Sequence, residues 1–194
     1  MTEESPVNMN IVETTKTRVK NCIFCNVIAA NDPNIILEPR SDQFVIIKDI
    51  KPVATHHFLV LSDKHIKSSK SLQPNEQDRN LLKSMVAAAK QILLNNGCDL
   101  NDMRYSKSYV IFIIIFIFMS CCFVRMGFHW PPFYSIGHMH LHAISPASSM
   151  SAFNRFVAFN PSFSYVFVDV NYVLKRIGCK DENETESPSS VNKQ

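Results

Sequence analysis

Glycine is scarce: the chain has four in 194 residues, at positions 97, 127, 137 and 178, and none stand together. A loop that cradles phosphate on backbone amides needs glycines clustered within a few residues, so a Walker-type nucleotide site is excluded. Charge is also thin, 19% of residues with a net +3. There is no arginine-rich run and no interleaving of basic with aromatic residues, so no dedicated nucleic-acid surface is expected. The opening "MTEESPVNMNIVETTKTRVK" lacks the apolar stretch of a secretory leader. The six cysteines, Cys22, Cys25, Cys98, Cys121, Cys122 and Cys179, are therefore expected as free thiols in a reducing compartment, cytoplasmic or nuclear.

The length suits one domain with tails. Residues 1 to about 20 read as a polar arm, and 179–194, with "KDENETESPSSVNKQ", as a disordered tail. Two β-rich runs, Phe44 to Ile47 and His57 to Leu61, flank a bend carrying Pro52. Helical spacing follows: Leu81, Leu82, Met85, Val86, Ala89, Ile92 and Leu93 form one stripe, with Pro74 near its start and Gly97 just past its end. "VNYVLKRIG" predicts a terminal helix closed by Gly178. The pattern is α+β, an antiparallel sheet with packed helices. One segment stands apart, the uncharged apolar run "SYVIFIIIFIFMSCCFV" at 108–124. It is shorter than the roughly 20 residues that comfortably span a bilayer. A buried strand and a short membrane contact flanked by Arg104, Lys107 and Arg125 both stay open, the membrane contact not favoured.

Chemistry concentrates in "SIGHMHLHAIS". On a strand, His138, His140 and His142 stand in one row while Met139, Leu141 and Ala143 face the other way. The outer two of such a row lie roughly 13 Å apart. A zinc ion holds each nitrogen at about 2 Å, so a single metal cannot take all three.

The run His138-Met139-His140-Leu141-His142, followed by Ala143 and Ile144, resembles the motif of the histidine triad family. "CIFCNVI", "FVIIKDIKPVATHHFLVLSDKHI" and the Leu/Ala-rich helix agree with that family in order, over residues 21 to 104 and 126 to 178. The Hint branch is the nearest. "RMGFHWPPFYSIGHMHLH" stands where common Hint proteins carry an Asn and a Gly-rich stretch, and it is also similar to aprataxin. Only Cys179 follows the triad, so there is no counterpart of aprataxin's zinc finger, and DNA-end repair is not expected. Lifting out 105–125 joins "NDMR" to "MGFHWPPF", so the apolar run looks like an insertion into a domain spanning 21–178.

The resemblance implies a histidine-triad-like antiparallel sheet and hydrolysis of the P–N bond of adenosine 5'-monophosphoramidates through a covalent adenylyl-histidine. It makes His140 the nucleophile, with His138 and His142 bonding the phosphate or orienting the ring, and His57 the upstream histidine. Ser135 would donate to the phosphate or the leaving group. Asp49 would accept from the ribose hydroxyls, and Ile47, Ile50 and Val27 would line a slot for the base or serve as plain sheet core. His129 would line the leaving-group side, while His56 and His65 read as surface residues. Some relatives hold structural zinc on a C-x-x-C pair, here Cys22 and Cys25 with His65 as a third ligand. Two ordinary thiols are the favoured reading, and the reaction needs no cofactor or metal. Expected partners are purine nucleoside monophosphate derivatives and a second copy of the chain as homodimer. The alternative is an AMP-binding module whose chemistry is impaired, or which is tethered to a membrane, by the insertion.

Overall fold

The computed structural model describes residues 18–100 and 124–179. Most of the apolar run, and nearly all of both expected tails, lie outside the described residues.

The most strongly patterned segment of the sequence becomes helix α2 (Glu76–Asn95). Its start is fixed locally: Asn75 is the cap, its side-chain oxygen accepting from the Asp78 amide at 2.8 Å. Such a cap contributes about 1 kcal/mol, and Glu76 and Asp78 add negative charge where the helix dipole is positive. Beyond its end Gly97 takes φ +77, a left-handed conformation that suits a residue without Cβ. All seven residues of the predicted stripe are buried. They press on one face of an antiparallel sheet.

The sheet contains, among the described residues, β1 (Ile36–Leu37), β2 (Phe44–Lys48), β3 (His56–Ser62), β4 (Arg125–His129), β5 (His140–Ser145) and β6 (Phe167–Asp169). Their spatial order is β1-β2-β3-β5-β4-β6. Alternation assigns the faces. Phe44, Ile46, Phe58, Val60, Leu141, Ala143, Met126, Phe128 and Val168 join α2 in the main core. The opposite face carries Val45, Ile47, Leu59 and Leu61, covered by Phe24, Cys25 and Ile28 of helix α1 (Ile23–Ala30). Further along this second face the apolar side chains give way to His57, His140, His142 and His129. The site therefore occupies the half of the face that α1 leaves open.

Gly127 is the residue that lets β6 close against β4. A Cβ there would collide with the Val168 carbonyl oxygen and the ring of Phe167. Gly127 pairs with His142 on one side and Asp169 on the other. The Phe167 ring consequently lies across a bare backbone beside the histidines. The last helix, α3 (Val170–Arg176), follows β6 directly, with Asp169 as its cap and Gly178 at φ +80 beyond it.

Three expected boundaries shift. Arg18 belongs to the fold and not to the arm: its guanidinium donates to the Cys25 carbonyl at 3.3 Å and pairs with Asp63 at 3.4 Å. Arg125, expected to end the insertion, opens β4 opposite Ile144 and donates to the Phe159 carbonyl at 2.8 Å. Cys179, expected to begin the tail, is buried in the main core. No helix of the described residues is long and apolar enough to cross a membrane.

Candidate active site

Register sets the site. Leu61 pairs with His140, Leu59 with His142 and His57 with Ile144, so His57, His140 and His142 share one face of adjacent strands. β5 begins only at His140. His138 lies in the preceding bend, not on the strand as the alternation predicts, and its ring is fully buried.

Hydrogen bonds fix which nitrogen of each ring carries a proton. The Val53 amide can only donate, and it reaches His57 Nδ1 at 3.3 Å. The proton of neutral His57 therefore sits on Nε2, which lies 2.9 Å from His142 Nδ1 and 3.4 Å from Asp49 Oδ2. His142 accepts at Nδ1 and carries its own proton on Nε2. That nitrogen is buried with no partner among the described residues. An unmatched buried donor costs about 1–3 kcal/mol, a cost recovered when an acceptor such as a phosphoryl oxygen enters. His140 has the opposite polarity: its Nδ1 donates to the His138 carbonyl at 2.6 Å, leaving Nε2 as a lone pair. A ring nitrogen with a free lone pair and a ring N–H donor thus stand side by side, ring centroids 4.9 Å apart.

The surroundings hold these rings neutral. Burial lowers the His57 pKa to about 4 against a partial opposing pull from Asp49. Burial likewise lowers His140, although its bond to the His138 carbonyl opposes this, and it lowers His142 well below the usual value. The apolar cover is aromatic. Phe159 touches His57, His129 and His142 at centroid distances of 5.7, 4.8 and 5.4 Å, and Phe167 stands 5.3 Å from His129. His129 donates from Nδ1 to the Val166 carbonyl at 3.1 Å and packs 4.9 Å from His142.

Residues 21–157 match the family described as "Scavenger mRNA decapping enzyme C-term binding". The chain belongs to the histidine triad superfamily. It is 38% identical over 81% of its length to a mouse protein named adenosine 5'-monophosphoramidase HINT3, of which the match covers 81%. A Xenopus tropicalis protein of the same name is 32% identical over 81% of this chain and 89% of its own. Among solved structures, a histidine triad family hydrolase from Clostridium thermocellum aligns with TM-score 0.49 and 22% identity, over 66% of this chain and 92% of that one. The fold is the expected one, α+β with an antiparallel sheet.

The first histidine of the triad does something the alternation does not disclose. His138 Nε2 donates to the Ser62 carbonyl at 2.7 Å, which leaves Nδ1 unprotonated. That lone pair faces Cys22 Sγ at 3.4 Å and Cys25 Sγ at 3.5 Å, and His65 Nδ1 lies 3.3 Å from Cys25 Sγ. Two thiols cannot both donate into one lone pair, whereas the donors of a tetrahedral Cys₂His₂ zinc site stand about 3.5 Å apart at ordinary bond lengths. All four donor atoms lie within 4.8 Å of one another. The set fits zinc in a closed, structural site. His65 is therefore no ordinary surface residue; the His138 ring faces the two cysteines, while the His138 carbonyl orients the His140 ring.

The other expected residues divide. Asp49 is in place beside His57, with its second oxygen accepting from the Lys51 amide at 2.8 Å. Ile47 is buried in the cluster under α1, and Val27 packs against it partly covered. Ile50 does not line a slot: it is 89% exposed in the β2–β3 bend. Ser135 is exposed on the loop before the triad, with no hydroxyl partner among the described residues. His56 stacks on Phe58 at 6.3 Å, on the α2 side. Sequence reasoning missed Phe159 and Phe167, because nothing local marks an aromatic that arrives from the far end of the chain.

Proposed function

We propose that this chain hydrolyses the P–N bond of adenosine 5'-monophosphoramidates through a covalent adenylyl intermediate on His140. One observation carries the reading: His140 Nδ1 is committed to the His138 carbonyl, so its lone pair is Nε2, next to the unpartnered His142 Nε2–H. His140 Nε2 forms a bond to the α-phosphorus as the P–N bond breaks, and the amine leaves after taking a proton from solvent. Water then forms a P–O bond, the N–P bond to His140 breaks, and AMP departs. His142 donates to a phosphoryl oxygen as charge develops there, and His57 holds His142 in the tautomer that allows it. Asp49, at the nucleotide end, accepts from the ribose hydroxyls. The relatives named adenosine 5'-monophosphoramidase support this substrate class. The structural zinc site of Cys22, Cys25, His65 and His138 would supply rigidity beneath the triad loop and takes no part in the bond changes.

Mass spectrometry of the protein mixed with an adenosine phosphoramidate tests the mechanism. An adenylyl adduct on His140 is the expected result, and turnover with an adduct elsewhere would sink it.

Acid should act on both rate and stability. A histidine whose pKa is lowered by the fold takes up its proton first in the unfolded chain. His57, at about 4 folded against 6.5 ordinarily, thus costs stability as pH falls through that window, and none above it. The melting temperature should be flat from about pH 7 upward and fall steeply between about pH 6.5 and 4, with kcat lost as pH falls towards about 4, where His57 takes up its proton. A kcat that declines already at neutral pH would show that the rings are not held neutral.

A further inference from the structure

One ring touches three of the site's imidazoles at once. Phe159 lies 5.7 Å from His57, 4.8 Å from His129 and 5.4 Å from His142, edge-on in each pair. It comes from outside the strands that carry them, on the segment between β5 and β6. Its neighbours on that segment, Phe153 and Phe156, stay 66% and 51% exposed, whereas Phe159 is buried in a cluster with Ile144, Met150 and Phe167. The backbone holds it there from both sides. One wide turn, Asn154–Ala158, ends with the Phe159 amide donating to the Asn154 carbonyl at 2.9 Å, and the Phe159 carbonyl accepts from Arg125 on β4, the strand of His129.

The segment brings no charge to the site. The titratable groups that face His142 are His140 on its own strand, His57 on β3 and His129 on β4, and Asp49 faces His57 from the β2–β3 bend. Helix α1 offers the Phe24 ring, towards His140, and β6 offers Phe167. Between 147 and 166 the one ionic side chain is Arg155, whose guanidinium lies over the Phe156 ring at 4.8 Å. What Phe159 adds is the exclusion of water, and burial is the largest cause lowering His57, His129 and His142. A gap of more than about 15 Å³ between polar atoms admits a water. A hydrated imidazole then regains its ordinary affinity for a proton.

We propose that Phe159 is a positioning residue: it makes and breaks no bond, but its ring keeps water from His57 and from the unpartnered Nε2–H of His142, so that His142 meets a phosphoryl oxygen as a bare donor held by a neutral His57. The effect on rate rests on the phosphoramidase reading above; the effect on the rings does not. Proton uptake would undo the arrangement at either ring. A proton added to His142 goes on Nδ1, where it meets the Nε2–H of His57, and one added to His57 goes on Nδ1, where it meets the Val53 amide. Either event breaks a hydrogen bond that sets the tautomers.

The rings are read directly, by the pH titration of their nitrogens in the full chain labelled with ¹⁵N-histidine. Phe159→Ala should raise the His57 and His142 midpoints by about one to two pH units, while Phe159→Leu, which keeps an apolar plug, should raise them by less than about half a unit. Phe156→Ala, on the same segment but facing solvent, should leave them in place. Phe159→Val, with a shift between those of the leucine and alanine variants, carries the same test where the alanine variant does not fold. The acid limb of kcat for an adenosine phosphoramidate should move up with the rings. Midpoints that stay in place when Phe159 is shortened, or that Phe156→Ala moves as far, would overturn the proposal. So would a kcat lowered at every pH with its acid limb unmoved, the mark of a merely structural ring. If the parent protein turns over no phosphoramidate, the function proposed above falls, and the ring titration still decides whether Phe159 keeps water from the pair.

Discussion

His140→Ala is expected to lower kcat for an adenosine phosphoramidate by about 10⁴-fold or more, the scale seen when a covalent nucleophile is removed. The neighbouring rings cannot substitute. His142 presents a protonated nitrogen to the site, because its other nitrogen accepts from His57. His138 turns its only lone pair towards Cys22 and Cys25. AMP binding, read by calorimetry, should survive, since Asp49, His57 and His142 remain in place. Loss of turnover with AMP still bound is the outcome that identifies a nucleophile. Turnover within tenfold of the parent would remove His140 from the role.

The second large effect concerns the sulfur cluster. The parent protein should carry one zinc per chain, and the double substitution Cys22→Ser with Cys25→Ser should carry none. Its melting temperature should fall by about 10 °C or more, because structural zinc binding is folding free energy. Cys98, only half-buried and outside the cluster, is the control: Cys98→Ser should keep both metal and melting temperature. Both cysteines sit at the first turn of α1, and the Phe24 ring between them contacts those of His138 and His140 at 5.8 and 5.2 Å. Losing the metal therefore loosens the loop whose carbonyl orients the nucleophile. Metal-free parent protein with an unchanged melting temperature would show the four side chains to be ordinary thiols and imidazoles.

Much of this arrangement is legible in the chain because period and register are local properties. The α2 stripe reads correctly since every third or fourth residue faces one core. His140 and His142 share a face because a strand alternates. The same rule misplaces His138, since the strand starts two residues later and the Ser62 carbonyl captures the ring. Ile50, expected in a slot for the base or in the sheet core, lies in neither, because the bend after β2 turns it into solvent. Of the Cys₂His₂ set, Cys22, Cys25 and His65 follow from the resemblance, but the fourth member, His138, lies far along the chain from Cys22, and no local spacing reports a contact of that range. Phe159 and Phe167 fall under the same limit.

The outermost positions of the sheet have a further implication. One margin is the two-residue β1 and the other is the three-residue β6, which the chain itself lays over β4. Among the described residues, neither margin presents a strand of more than three residues for a second molecule to pair with. Pairing through backbone alone at either margin would therefore be limited to two or three residues, and a proline placed on either short rim would remove at most a few ladder hydrogen bonds.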